Sequence, residues 1–169
     1  MTGHSCDMLP AMAIRYWLLK SEPESFSIDD LQRAPKQTTF WNGVRNYQAR
    51  NLLRDDMKVG DGVIFYHSNA DPAAAVGLAE VVRAGYPDGT QFDPKSDYYD
   101  KDARPDDPRW FMVDIKFKEK FVRPLPLDLL RTTPALSDMV LLRRGSRLSV
   151  QPVAPAEWKA IVAQGRRAA

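Results

Sequence analysis

The stretch Trp41-Asn42-Gly43-Val44-Arg45-Asn46-Tyr47-Gln48-Ala49-Arg50-Asn51 organises the reading of the whole chain. A large aromatic stands before a glycine turn, and a helix carrying Arg and Asn follows at once. At about 100° per residue, Ala49, Leu52 and Leu53 form an apolar stripe that continues to Met57, so this helix must dock on a core. Asn46, Arg50 and Arg54 follow one another along one flank. Arg45 falls in the first turn, inside the angular range of the stripe, and the positive end of a helix also disfavours a cation. A residue that breaks two local rules points to function. The alternative is that Arg45 snorkels, or pairs with one of the many aspartates.

Around that stretch, 169 residues suit one domain with a sizeable core, and 44% apolar with 10% aromatic residues is ordinary for a folded protein. No apolar run reaches the ~18 residues of a membrane span. Residues 1–13 have no signal-peptide character and read as a flexible leader, with a tail at 166–169. The single cysteine, Cys6, lies in that leader, so neither a disulfide nor a cysteine zinc site is expected, and a cytosolic protein fits. The net charge of +2 conceals an asymmetry: residues 88–107 carry a local −4, which leaves +6 on the remainder. That basic bias is compatible with a polyanionic partner.

Residues 14–19 form an aromatic and branched run suited to a first strand, and Pro23 holds Glu22 extended. Ser27 and Asp30 make a capping-box start for a short helix. Gly60-Asp61-Gly62 is a turn, and the strand 63–68 after it is apolar on both faces until its end, as in a central strand. A second strand, 74–83, contains Gly77, the mark of a bulge or a close backbone approach. Residues 86–108 form a long acidic loop that either gates a site or is simply a solvated surface. The run 110–117 alternates, with Phe111, Val113, Ile115 and Phe117 inward. Short helices are expected at 127–131 and 135–140, then a strand at 147–151, where Pro152 marks an edge or the end of pairing. A final helix spans 155–164, with proline in its first turn and Gly165 beyond its end. Five or so strands interrupted by short helices give an α+β domain with a small, partly closed sheet.

Catalytic parts are few. His4 lies in the leader, which leaves His67 as the only histidine of the fold and no histidine metal cluster; no metal or cofactor is expected. There is no phosphate-binding glycine loop, and no nucleophile elbow surrounds Ser68 or any other serine. Binding parts are better represented. An unstacked base needs a flat apolar plate, worth ~1–3 kcal/mol, together with polar groups for its edge and cations for its phosphates. Trp41 could be that plate, with Tyr66 or Tyr98 as an opposing wall; alternatively it is a core tryptophan covering a helix start. Ser21 and Glu22 could read the base edge, and a carboxylate favours an amino group such as the N4 amine of cytosine. Arg45, Arg50 and Arg147 could hold phosphates.

These motifs carry a resemblance. Residues 16–23 (Tyr-Trp-Leu-Leu-Lys-Ser-Glu-Pro), the stretch 41–50, Gly60-Asp61 with Phe65-Tyr66-His67-Ser68, residues 76–81, 110–114 and 147–153 resemble the EVE domain family, in order, over about 14–164. The resemblance implies a single domain at 14–165: a PUA-like mixed small β-barrel of five or six strands flanked by short helices. The family is similar to the YTH readers of N6-methyladenine. Mapped by motif, that similarity implies a base pocket from Lys20, Ser21, Glu22 and Trp41, with Asn46 and the strand end at Phe65, Tyr66, His67 and Ser68 as further lining. The expected partner is nucleic acid, DNA or RNA, bearing a modified base such as 5-methylcytosine, bound by a monomer with no membrane role. The alternatives are an enzyme using Glu22 or His67 as acid or base on a modified nucleoside, and a pocket for a free small molecule. The YTH readers carry an amide where this chain has Glu22. Exchanging Glu22→Gln should therefore shift binding preference from 5-methylcytosine towards N6-methyladenine, measured by titration with both modified oligonucleotides. An unchanged preference would count against this role.

Overall fold

The computed structural model describes residues 13–145 and 147–167. Nearly all of the expected leader and the last two residues of the expected tail lie outside that description. Six strands form one mixed sheet in the order β2-β5-β4-β3-β1-β6. They are β1 (Tyr16–Ser21), β2 (Thr38–Phe40), β3 (Gly62–His67), β4 (Ala74–Pro87), β5 (Phe111–Pro126) and β6 (Val150–Val153). The helices are α1 (Ile28–Arg33), α2 (Tyr47–Asn51), α3 (Leu127–Arg131) and α4 (Pro155–Gly165), with several single turns between. This is the expected α+β architecture. Because β2 and β6 end the strand order without pairing, the sheet curls but does not close.

β1 lies between β3, its parallel neighbour, and antiparallel β6. Side chains alternate across a strand, so β1 serves two cores. Trp17 and Leu19 join a cluster with Val63, Phe65, Val81 and Ile115 on one face. Leu18 joins Ile64, Leu78, Phe121 and Ile161 on the other. Burial on both faces explains why the β1 and β3 runs read as continuous apolar sequence. Pro152 sits on the outer strand β6, where its missing N–H is tolerated.

Several local rules operate as the sequence implies. Ser27 caps α1 in a capping box with Asp30. Gly77 stands at a register shift of β4, where a Cβ would lie 2.5 Å from the Glu119 carbonyl oxygen. Three expectations are corrected. The short strand β2, unforeseen, pairs with β5. The helix of the opening stretch starts only at Tyr47, capped by the Asn46 side chain accepting from the Ala49 N–H, and passes into a π turn at Leu52–Asp56. Arg45 therefore precedes the helix and does not stand in its first turn. Ala49, Leu53 and Met57 are buried as the stripe requires.

The third correction concerns Gly165, which is the last residue of α4 rather than a cap beyond it. Its lack of a side chain serves packing, since a Cβ there would meet the Phe121 ring at 2.3 Å. Gly165→Ala should destabilise the fold by about 1–3 kcal/mol, the usual range for overpacking, despite alanine's better helix propensity. Urea unfolding would show a lower midpoint at unchanged m; an unshifted midpoint would mean that the Phe121 ring turns aside.

Candidate functional site

A cavity of about 710 Å³ opens where the sheet fails to close. Lys20 and Ser21 at the end of β1, with Glu22 beyond it, form one wall. Thr39 and Phe40 of β2, with Trp41 to Arg45 after it, form another. Ser25 and Phe26, Ser149 immediately before β6, and Tyr98 of the acidic loop complete the lining. The end strand β2 and the residue that leads into the other end strand, β6, thus contribute to the same concavity.

Trp41 is 9% exposed. One side of the indole packs edge-on against Phe65 at 5.5 Å between ring centres, and another part borders the cavity. It is both a core residue and a wall. Backbone hydrogen bonds fix its position: the Trp41 N–H donates to the Val113 carbonyl at 2.8 Å, and the Gly43 N–H donates to Asp88 at 2.8 Å. Gly43 has φ +83°, and a Cβ there would meet the Tyr98 ring at 2.6 Å, so only glycine fits this turn under that ring.

Asp88 holds the acidic loop to this turn. Its side chain is fully buried and accepts from the Gly43 N–H, the Thr90 N–H and hydroxyl, and Arg45 at 3.2 Å. Burial pushes the Asp88 carboxyl up, but the hydrogen bonds from Thr90, Gly43 and Arg45 outweigh it and hold the group below the usual carboxylate value. Gln91, also buried, donates to the Asp88 and Trp110 carbonyls and accepts from the Arg109 and Trp110 N–H groups. At Asp88 and Gln91 the loop is therefore a docked wall, not the solvated surface that was one of the two expectations.

Arg45 uses all five of its N–H groups inside the protein. Nε and Nη2 donate to the Tyr98 carbonyl, Nη1 to the Val44 carbonyl and Asp88, and Nη2 to Thr90. The guanidinium also lies near the Tyr98 and Trp110 rings. No donor remains for a phosphate, and of the two readings of Arg45 the geometry matches pairing with an aspartate. Arg50 donates to Asn51 and to the Arg109 carbonyl, and Arg147 is exposed; neither lines the cavity.

Of the remaining residues singled out for a base pocket, Lys20, Ser21, Glu22, Trp41 and Tyr98 come together, whereas Asn46, Tyr66, His67 and Ser68 do not line the cavity. Asn46 is occupied as the α2 cap. Tyr66 points into the second core. His67 accepts from the Ile28 N–H through Nε2 at 3.1 Å, a structural bond at the start of α1, and burial lowers its pKa. The Ser68 N–H bonds the Ser21 carbonyl at 3.0 Å. The Ser21 hydroxyl donates to the Phe26 carbonyl at 2.6 Å, while one Glu22 oxygen accepts from Asn69 at 2.8 Å. Burial holds the Lys20 amine below its usual pKa. Sequence reasoning passed over Asn42, Ser149 and Phe40 on the lining, and Asp88 beneath it. The Asx-turn signature Asp88-Gly89-Thr90 was a signal for Asp88 alone.

Residues 15–164 match the model of the EVE domain. Thymocyte nuclear protein 1 of Gallus gallus is 46% identical over 160 residues, covering 85% of this chain and 65% of that protein, so the chain spans only part of its relative's length. The Homo sapiens protein of the same name is 45% identical, covering 85% of this chain and 70% of its own. A crystal structure of human THYN1 in complex with DNA containing 5-methylcytosine superposes with a TM-score of 0.85 at 42% identity, covering 90% of this chain and 98% of that one. A Pseudomonas syringae structure superposes with a TM-score of 0.84 at 45% identity, covering 89% and 99%. No helix among the described residues is long and apolar enough to cross a membrane.

Asp88→Ala should destabilise the protein by about 3 kcal/mol, the low end for breaking a buried ion pair because Arg45 keeps some contact with water. With its folded pKa depressed, Asp88 contributes stability that is present above the unfolded value of about 3.9 and lost as pH falls through the folded value. Chemical unfolding at stepped pH should show this acid loss in the parent and a smaller one in Asp88→Asn; identical acid profiles would contradict it.

Proposed function

The chain belongs to the EVE domain family, and from the cavity at its open seam we propose that it is a nucleic-acid reader that admits one modified base, such as 5-methylcytosine, beside Trp41. The observation that carries this reading is an aromatic-walled cavity whose polar lining includes groups with no partner among the described residues, Lys20 and Asn42 among them. Such groups are suited to an incoming base edge, and a base taken out of its stack needs an aromatic neighbour to replace it. The free oxygen of Glu22 can accept from the N4 amine of cytosine. The human relative's chain crystallised with 5-methylcytosine-containing DNA superposes over 98% of that crystallised chain, which supports DNA as the ligand over RNA.

Phosphate contacts fall to the exposed cations. Arg143, Arg144 and Arg147 lie on the segment that leads to Ser149, and Arg50 keeps part of its guanidinium unbound. The aspartates around Tyr98 repel a phosphate chain, so the strand enters from the Ser149 side. The enzyme alternative is left with Glu22, because His67 is off the cavity and its Nε2 is occupied.

Titration with short oligonucleotides carrying one 5-methylcytosine tests the reading. Binding should exceed that of the unmodified oligonucleotide, and log K should fall with log salt at a slope of about −1.4 for two phosphate contacts on a single strand. Absence of salt dependence would point to a free-nucleoside pocket, and equal binding of both oligonucleotides would sink the reader reading.

A further inference from the structure

The polar side chains of the cavity divide by whether the protein already uses them. The Ser21 hydroxyl hydrogen goes to the Phe26 carbonyl, the Thr39 hydroxyl points to the Phe40 carbonyl, and every Arg45 donor is taken. The Lys20 amine, the Ser25 and Ser149 hydroxyls and the Asn42 amide have no partner among the described residues. Asn42 differs from the other three. It alone offers a donor and an acceptor side by side in one plane, the arrangement that meets a base edge with two parallel hydrogen bonds. It also follows Trp41 directly, so an edge presented by a base lying against the indole comes within its reach. The backbone on either side of it is pinned, at Trp41 by Val113 and at Gly43 by Asp88. A short side chain on a fixed backbone is pre-organised for recognition.

The chemistry of the candidate bases then separates two roles. 5-Methylcytosine and thymine share a ring and a 5-methyl group, so neither stacking nor contact with the methyl tells them apart. They differ along the hydrogen-bonding edge: the first presents an amino donor beside a ring-nitrogen acceptor, and the second reverses both. An amide can rotate to match either pair, so on its own it binds without choosing. A carboxylate only accepts, and it is attracted to the amine of one and repelled by the oxo group of the other.

Resting on the reader function proposed above, we propose that Asn42 is the side chain that hydrogen-bonds the edge of the admitted pyrimidine, while Glu22 supplies the choice of the amino-bearing base over its oxo counterpart. Asn46, the asparagine that the sequence reading placed in the pocket lining, is occupied as the α2 cap.

Calorimetric titration of the whole chain with single-stranded oligonucleotides carrying one central 5-methylcytosine or one thymine tests this. The parent should prefer 5-methylcytosine. Asn42→Ala should bind both oligonucleotides about ten-fold more weakly, the loss expected for one or two hydrogen bonds, with the preference ratio and the thermal midpoint retained. Asn42→Asp keeps the size and the acceptor but replaces the donor with an anionic oxygen, and should lose a similar factor on 5-methylcytosine. Asn42→Ala binding within about two-fold of the parent would overturn the assignment, as would Asn42→Asp binding 5-methylcytosine at parental strength. If Asn42→Ala fails to fold, the Asn42→Asp arm decides. A parent that ignores 5-methylcytosine would instead remove the reader function, so the two failures are distinguishable.

Discussion

A buried carboxylate with four donors around it underlies the architecture of the site. Asp88 joins a turn near the start of the chain to a loop in its middle, and both are irregular segments that could not hold one another by strand pairing. Charge-assisted bonds of this kind are about twice as strong as neutral ones, and an unpaired partner left behind would be costly. Through Arg45 the same carboxylate reaches the Tyr98 carbonyl, and through the Gly43 N–H it fixes the turn that carries Trp41 and Asn42. The placement of two cavity walls follows from one ion.

The open seam is the second constraint. A fully closed barrel would pair β2 with β6 and leave only side chains to fill its interior. Here β2 is three residues long and β6 carries a proline, so neither edge is a good template for pairing. The space between them is lined by polar groups at strand ends, where backbone geometry is still rigid. Recognition groups mounted in this way are more precisely placed than those on free loops.

Much of the fold was legible because it rests on local or periodic signals. The two-sided apolar runs of β1 and β3, the Ser27 capping box, the alternation in β5 and the proline at the start of α4 each announce themselves within a few residues. What could not be read depends on partners far along the chain. Arg45 fitted a helical stripe by spacing, yet all its acceptors except the Val44 carbonyl lie in residues 88–98. Asp88 looked like one more surface aspartate among seven, although it is buried. In the site, family resemblance marked the β3 end without its facing. Alternation along that strand sends Tyr66 into a core, while His67 turns towards the first turn of α1. Asn46 illustrates a competing rule, since an asparagine just before a helix is a cap before it is anything else.

The position of β1 has a consequence for how the chain reaches this state. Tyr16 is hydrogen-bonded in register with Gly62 on one side and with Val153 on the other. Of the described strands β1 is thus made first, yet its second edge is covered last, by the residues of β6. Until they arrive, a hydrophobic ribbon with open amides waits for a neighbour, and a foreign strand would serve it as well. Topology of this kind places assembly among the slow, non-local foldings and makes the final short strand the seal on the whole sheet.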